Sequence, residues 1–255
     1  MVRRDVTQRR DEIIALLSEN GSLSAADLSA QLSVSVQTIR TDLRNLDEAG
    51  FVQRRNGRVQ LRQQGENIGY LPREGISRQE KQRIALAVKT LIPDRARMAL
   101  GTGTTVETCA RFLASHKDLF VASNSIHAVC ALQHAPGVVV ELAGGAVRMR
   151  DLDMIGASAL EFFDKYCVDY AVFSCGGLSK SGRVMDYNSD EVTARKAIAK
   201  SARKSILVLD STKSGLELAC QTGHVWDYDI VVTGAVLPEP VLQNCARHDC
   251  VVIQV

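Results

Sequence analysis

The chain has 255 residues, 45% of them hydrophobic, and a formal net charge of +2. That length suits one large domain or a small domain joined to a medium one, with ample apolar material for a core. No apolar run nears the roughly 20 residues that cross a bilayer, the opening MVRRDVTQRR has no apolar stretch of the kind a secretory signal carries, and seven scattered cysteines without a C-x-x-C argue for reduced thiols in a cytoplasmic protein rather than a disulfide framework. No His stands at metal-ligand spacing from a cysteine, so neither a metal nor a cofactor is expected.

The charge is unevenly placed. Residues 1–65 carry ten Lys+Arg and eight Asp+Glu, so the whole excess lies there, and residues 49–65 hold Arg54, Arg55, Arg58 and Arg62 without an acid. Such a patch suits phosphates, although on charge alone a solvated loop fits equally.

In chain order, Ile13, Ile14, Leu16 and Leu17 set one face of a first helix, which Asn20-Gly21 stops. Ser24-Ala25-Ala26-Asp27 has the form of a capping box for a second helix with Leu28 and Leu32 inside. Ser33-Val34 predicts a tight turn, and Ser35 the cap of a third helix. There Val36, Ile39, Leu43 and Leu46 share one side. That leaves Gln37, Thr38, Thr41 and Arg44 outward and Arg40 at the border, polar and cationic groups of the kind that reach base edges and phosphates. Two short helices, a tight turn and a polar-faced third helix describe a helix-turn-helix. Asn56-Gly57 between two β-prone segments then signals a hairpin, and Arg54, Arg55 and Arg58 make that hairpin a basic wing. The expected DNA-binding residues are therefore Ser35, Gln37, Thr38, Arg40, Thr41, Arg44, Arg54, Arg55 and Arg58.

Residues 32–46, LSVSVQTIRTDLRNL, resemble the signature of the DeoR family of bacterial sugar-metabolism regulators. Two positions depart from it: Thr41 stands where the family usually has a second arginine, and Arg55-Asn56-Gly57 where it usually has a His-Gly-Gly wing tip. Both touch DNA contacts, so they bear on the operator sequence more than on the activity.

Residues 63–77 lack periodicity and include glycines and Pro72, which predicts a linker between a DNA-binding domain at 1–62 and a second domain at 78–255. A helix over about 78–91 leads there to strands at 98–100, 120–122, 138–142, 170–173, 206–209, 230–232 and 251–253. Apolar runs without alternation, separated by helices, predict an α/β fold on a mostly parallel sheet whose strands are buried on both faces. Ligands in such sheets bind beyond the carboxyl ends of the strands. Small, hydroxylated and glycine residues stand there: Thr102-Gly103-Thr104-Thr105, Ser123-Asn124-Ser125, Gly144-Gly145, Gly176-Gly177 and Asp210 to Lys213. Together they suggest one polar pocket for a phosphorylated, polyhydroxylated molecule. Val106 breaks a dinucleotide fingerprint and no GK[ST] follows, so neither a Rossmann nor a P-loop motif is present.

The resemblance extends to these loops. It implies a sensor domain similar to ribose-5-phosphate isomerase, with a sugar phosphate as inducer and Asp186, Glu191 and Lys213 added to the site. The family's usual Asp at the start of the first loop is Gly101 here. The expected protein is a repressor of a carbohydrate operon, not an enzyme, whose partners are double-stranded operator DNA, a phosphorylated sugar and a second copy of itself in a homo-dimer or tetramer.

The alternative is an isomerase fused to a DNA-binding head, with Asp186, Asp190, Glu191 and Lys213 as acid–base candidates. Against it, residues 189–198 read as a solvated helix with Glu191 and Arg195 paired at i, i+4. An α/β domain that only oligomerises is a third reading.

Overall fold

A computed structural model describes residues 6–48, 52–55, 57–61, 73 and 76–255. The chain forms two compact units, Met1–Arg78 and Gln79–Val255. Most of the expected linker lies outside the described residues.

In the first unit, helix α1 (Val6–Asn20) precedes a short strand β1 (Ser22–Ser24), then α2 (Ala25–Leu32), α3 (Val36–Glu48) and strands β2 (Val52–Arg55) and β3 (Arg58–Leu61). The Ser24 hydroxyl accepts from the Asp27 N–H and the Asp27 carboxylate from the Ser24 N–H, the reciprocal box read from sequence. Ser33 takes a left-handed conformation (φ 54°) that turns α2 into α3, and the Ser35 hydroxyl accepts from the Thr38 N–H to start α3. Arg55 pairs with Arg58 across a two-residue turn in which Gly57 has φ +75°. That positive φ is what an Asn-Gly hairpin demands. The hairpin pairs further with β1, which has one apolar residue in three and no legible strand pattern, to give a sheet ordered β1-β3-β2. Ile13, Leu17, Leu28, Leu32, Ile39, Leu43, Leu46, Val52 and Val59 are buried together as the core of this unit.

The second unit begins with α4 (Arg78–Leu91), followed by β4 (Arg97–Leu100), α5 (Thr104–Leu113), β5 (Phe120–Ser123), α6 (Ile126–Leu132), β6 (Val139–Leu142), α7 (Ala157–Phe163) and β7 (Val168–Phe173). The small strands β8 (Gly177–Leu178) and β9 (Arg183–Asp186) come next, then α8 (Ser189–Lys200), β10 (Ala202–Leu209) and a 3-10 turn at Ser211–Lys213. The unit ends with β11 (Cys220–His224), β12 (Ile230–Thr233), α9 (Glu239–Arg247) and β13 (Val251–Gln254). The seven predicted strands form one parallel sheet ordered β13-β12-β10-β7-β4-β5-β6. Successive residues alternate between two apolar clusters. Ala99, Phe173, Leu207 and Val231 go to one, and Met98, Val172, Ile206 and Val232 to the other. Both faces of the sheet are therefore covered, as a parallel sheet requires.

Three sequence expectations need correcting. Val139 and Leu142 are exposed, because β6 is an edge strand and only inner strands are sealed on both faces. Strands β8, β9 and β11 form a separate antiparallel sheet after the ends of β7 and β10, too short and polar to show in periodicity. Helix α8 is not a solvated helix: Glu191, Ala194, Arg195, Ala197 and Ile198 are buried, since partners distant in sequence neutralise its charges.

Candidate functional site

Two surfaces hold the functional candidates. On α3, Gln37, Arg40, Thr41 and Arg44 are exposed and Thr38 half-buried, while Ile39, Leu43 and Leu46 are inside. Two hydroxyls are partly committed locally: Thr38 Oγ1 lies 2.8 Å from Ser35 Oγ, and Thr41 Oγ1 donates to the Gln37 carbonyl. The helix is 13 residues long, about 20 Å at 1.5 Å per residue, and its outer strip carries no aliphatic side chain. On the hairpin, Arg54 is exposed with Nε 3.9 Å from Asp47. Arg58 donates from Nε and Nη2 to the hydroxyl and carbonyl of Ser22, which ties the wing to β1. The Arg55 side chain, Asn56 and Arg62 lie outside the described residues.

Sequence reasoning missed what holds α3 in place. Asp42 sits on the apolar side of α3, 2% exposed, and accepts from Arg9 Nε at 2.6 Å and Arg10 Nε at 3.1 Å. A buried carboxylate needs such partners. The legible signal was an acid among Ile39, Leu43 and Leu46, with twin arginines on α1. These two arginines spend charge on the scaffold.

The second surface lies at the carboxyl ends of the central strands. β4, β5 and β6 step outward on one side, and β7, β10, β12 and β13 on the other. The order therefore reverses between β4 and β7, where a crevice opens in such folds. The loops after β4, β7 and β10 converge there. A Cβ on Gly103 would lie 4.0 Å from Ser174 Cβ, and Thr105 Oγ1 is 3.4 Å from Asp210 Oδ2. Gly103 caps α5 at φ 113°, with no side chain satisfying its first N–H groups. A helix start of this kind favours an anion. A Cβ at Gly101 would press at 3.1 Å on Phe173 and Ile198, so this loop has no room for a larger residue without a shift. Lys213 is half-buried on the 3-10 turn, close enough to act electrostatically on Cys175, whose thiol burial pushes up to about 12.

The other predicted ligand residues divide. Ser123 donates to the Leu100 carbonyl and accepts from the Ser125 N–H, and Ser125 accepts from the Ala128 N–H at the start of α6. Both hydroxyls hold the loop. Asn124 donates to the Met154 carbonyl at 2.6 Å, while its Oδ1 is buried without a partner. Gly144 and Gly145 are exposed beyond β6, with Gly145 (φ +123°) close to Ser158.

Asp186 and Glu191 belong to a buried ion network. Asp186 accepts from Gly176 N, Thr222 Oγ1 and Arg195 Nε, the last at 2.5 Å. Burial pushes its carboxyl up against the pull of Arg195. Glu191 faces Arg148 Nη1 at 2.6 Å, and Arg148 also forks onto Asp153 at 2.9 and 2.8 Å. Burial alone pushes Glu191 up, but Arg195 and Arg148 outweigh it and hold the carboxyl below its usual value. Glu191 thus gains a hydrogen-bonded ion pair with Arg148 while also lying in the field of Arg195 one turn on, whose Nε is given to Asp186. Asp190 is exposed and α8 is capped by Asn188. Guanidinium groups hold two of the carboxylates proposed for acid–base work, Asp186 and Glu191.

Comparison with known proteins covers both units. A DeoR-like helix-turn-helix model matches residues 9–64, and the DeoR C terminal sensor domain matches residues 76–235. The chain is 31% identical to the glycerol-3-phosphate regulon repressor of Escherichia coli (strain K12) over 242 residues, 95% of this chain and 96% of that one. It is 33% identical to the transcriptional repressor CsqR of the same organism over 230 residues, 90% and 88% of the two chains. Among solved structures, a D-ribose-5-phosphate isomerase in complex with phospho-erythronic acid aligns with 54% of each chain, at TM-score 0.39 and 17% identity.

Proposed function

The chain belongs to the DeoR family of DNA-binding transcriptional regulators rather than to the enzymes, and on that premise we propose that it represses a carbohydrate operon and lets go when a phosphorylated sugar binds. The observation that carries the DNA half is the outer strip of α3, polar and cationic from Gln37 to Arg44 while its other side is sealed in the core. Gln37, Thr41 and Arg44 read base edges, and Ser35, Thr38 and Arg40 approach the backbone. Arg54, Arg55 and Arg58 of the hairpin lie along phosphates or in the minor groove. A helix of this width fits the major groove, and two copies of the chain on one duplex would place their α3 helices about 34–36 Å apart.

The effector half rests on the crevice between β4 and β7. An uncapped helix start and the Lys213 ammonium offer two attractions for a phosphate. Thr102, Gly103, Thr104 and Thr105 surround that start, and Asn124 Oδ1 supplies an unspent acceptor for a sugar hydroxyl. Gly144 and Gly145 border the same sheet edge. Asp186 and Glu191, assigned to the ligand from sequence, are held by Arg195 and Arg148 respectively. The relative named for the glycerol 3-phosphate regulon makes a small phosphate ester the first compound to try.

The test is fluorescence anisotropy with a duplex that the wild-type protein selects from random sequence. Arg44→Ala should weaken binding by about 1–3 kcal/mol and relax selectivity at one base position. Sugar phosphates are then titrated into the complex. Binding unchanged by Arg44→Ala removes α3 from the interface, and a complex that no phosphate ester releases removes the effector.

A further inference from the structure

We propose that Glu80 is the positioning residue through which the effector loop after β10 acts on α4, the helix that opens the second unit. The proposal rests on the effector reading above. Glu80 lies in the first turn of α4, yet its carboxylate is spent 131 residues away. Oε1 accepts from the Ser211 N–H at 2.6 Å and Oε2 from the Ser211 hydroxyl at 2.8 Å. The carboxylate lies against Gly234, at the end of the neighbouring strand β12. A methyl on Gly234 would overlap that carboxylate and stand 2.7 Å from Glu80 Cγ. The seat is therefore built from two strand ends and admits the side chain because position 234 has none.

Ser211 belongs to the same three-residue turn as Lys213. That turn is pinned on its other side by Asp210, which accepts from the Thr212 N–H and hydroxyl and approaches Thr105 at the start of α5. Both donors to Glu80 come from one residue of a short turn, so they move together when Lys213 is drawn toward an anion. The chain joins the DNA-binding unit to the sensor unit at Gln79, one residue before Glu80. A shift in Ser211 thus reaches the first turn of α4 and the point where the chain leaves for the DNA-binding unit. Loss of this bond pair mimics the effector-bound state.

The experiment uses the full chain and three variants: Glu80→Gln, Gly234→Ala and Ser211→Thr. Glutamine keeps the shape of Glu80 but presents an N–H to one of the two donors. Gly234→Ala keeps the charge and denies it the seat, and threonine at 211 keeps both donors. Without ligand, the first two variants should bind the selected duplex at least 5-fold more weakly than wild type, within the usual range of allosteric coupling. Hydrogen exchange should quicken at both 78–84 and 210–215, and Ser211→Thr should match wild type in both readouts. Quickened exchange with DNA affinity within 2-fold of wild type would reduce Glu80 to a local clip and overturn the proposal, as would unchanged exchange. Titration with glycerol 3-phosphate separates the two readings. If the wild-type complex ignores it and every other sugar phosphate tried while Glu80→Gln still weakens DNA binding, the effector assignment fails and the coupling stands. If wild type responds and Glu80→Gln keeps both affinity and response, the coupling fails alone.

Discussion

Replacing Asp42 by asparagine tests how α3 is held toward DNA. The side chain is 3% exposed and faces Arg9 Nε at 2.6 Å and Arg10 Nε at 3.1 Å. Asparagine fills the same space but turns one acceptor into a donor aimed at a guanidinium. A hydrogen bond to a charged group contributes about 1.5–3 kcal/mol. The Arg10 side chain is 34% exposed, so water screens its share to about 0.5 kcal/mol. The expected loss is about 2–3 kcal/mol, dominated by Arg9. In a unit of this size each kcal/mol moves Tm by about 4–8 °C, so the N-terminal transition should fall by about 8–24 °C. Circular dichroism melting measures this. Anisotropy at 10 °C, where the variant remains folded, then reports whether α3 is misaimed as well as loosened. A Tm within about 2 °C of wild type would refute the reasoning, since it would mean the two ion pairs contribute nothing against their desolvation.

Arg148→Met should destabilise the sensor unit by about 3–5 kcal/mol in urea, because Asp153 would remain buried without the guanidinium that forks onto it and Glu191 would lose the closer of its two cations; a loss below about 1 kcal/mol contradicts the network. Glu191 carries a carboxyl held below its ordinary value by Arg195 and Arg148, so its stabilisation is complete above the ordinary carboxyl range and disappears as pH falls through the lowered folded pKa. The stability gap between wild type and Glu191→Gln should accordingly close in acid, and a gap that widens there has the wrong sign. Ser24→Ala removes one half of the α2 capping box and should cost about 1 kcal/mol, read from the urea midpoint of the first unit. Lys213→Ala should abolish release by whichever phosphate ester releases the wild-type complex while leaving DNA affinity unchanged; release at the wild-type concentration would rule Lys213 out of the site.

The sequence by itself determined the elements whose signals are local. The Ser24–Asp27 box, the Ser35 cap, the α3 stripe and the Asn56-Gly57 hairpin each lie within one helix or one turn, where spacing and backbone geometry act directly. The seven apolar runs likewise became seven strands, and in the inner ones burial on both faces demands unbroken apolar residues. Only the tertiary structure decided which strand lies beside which, and therefore that the crevice falls between β4 and β7. It also decided that Glu191 bonds Arg148 across the fold, that Asp42 gathers Arg9 and Arg10, and that Ser123 and Ser125 brace a loop. Charged and polar side chains pair with whatever the fold brings within about 3 Å, and burial makes that partner obligatory. Chain spacing carries no record of a partner 43 or 131 residues away.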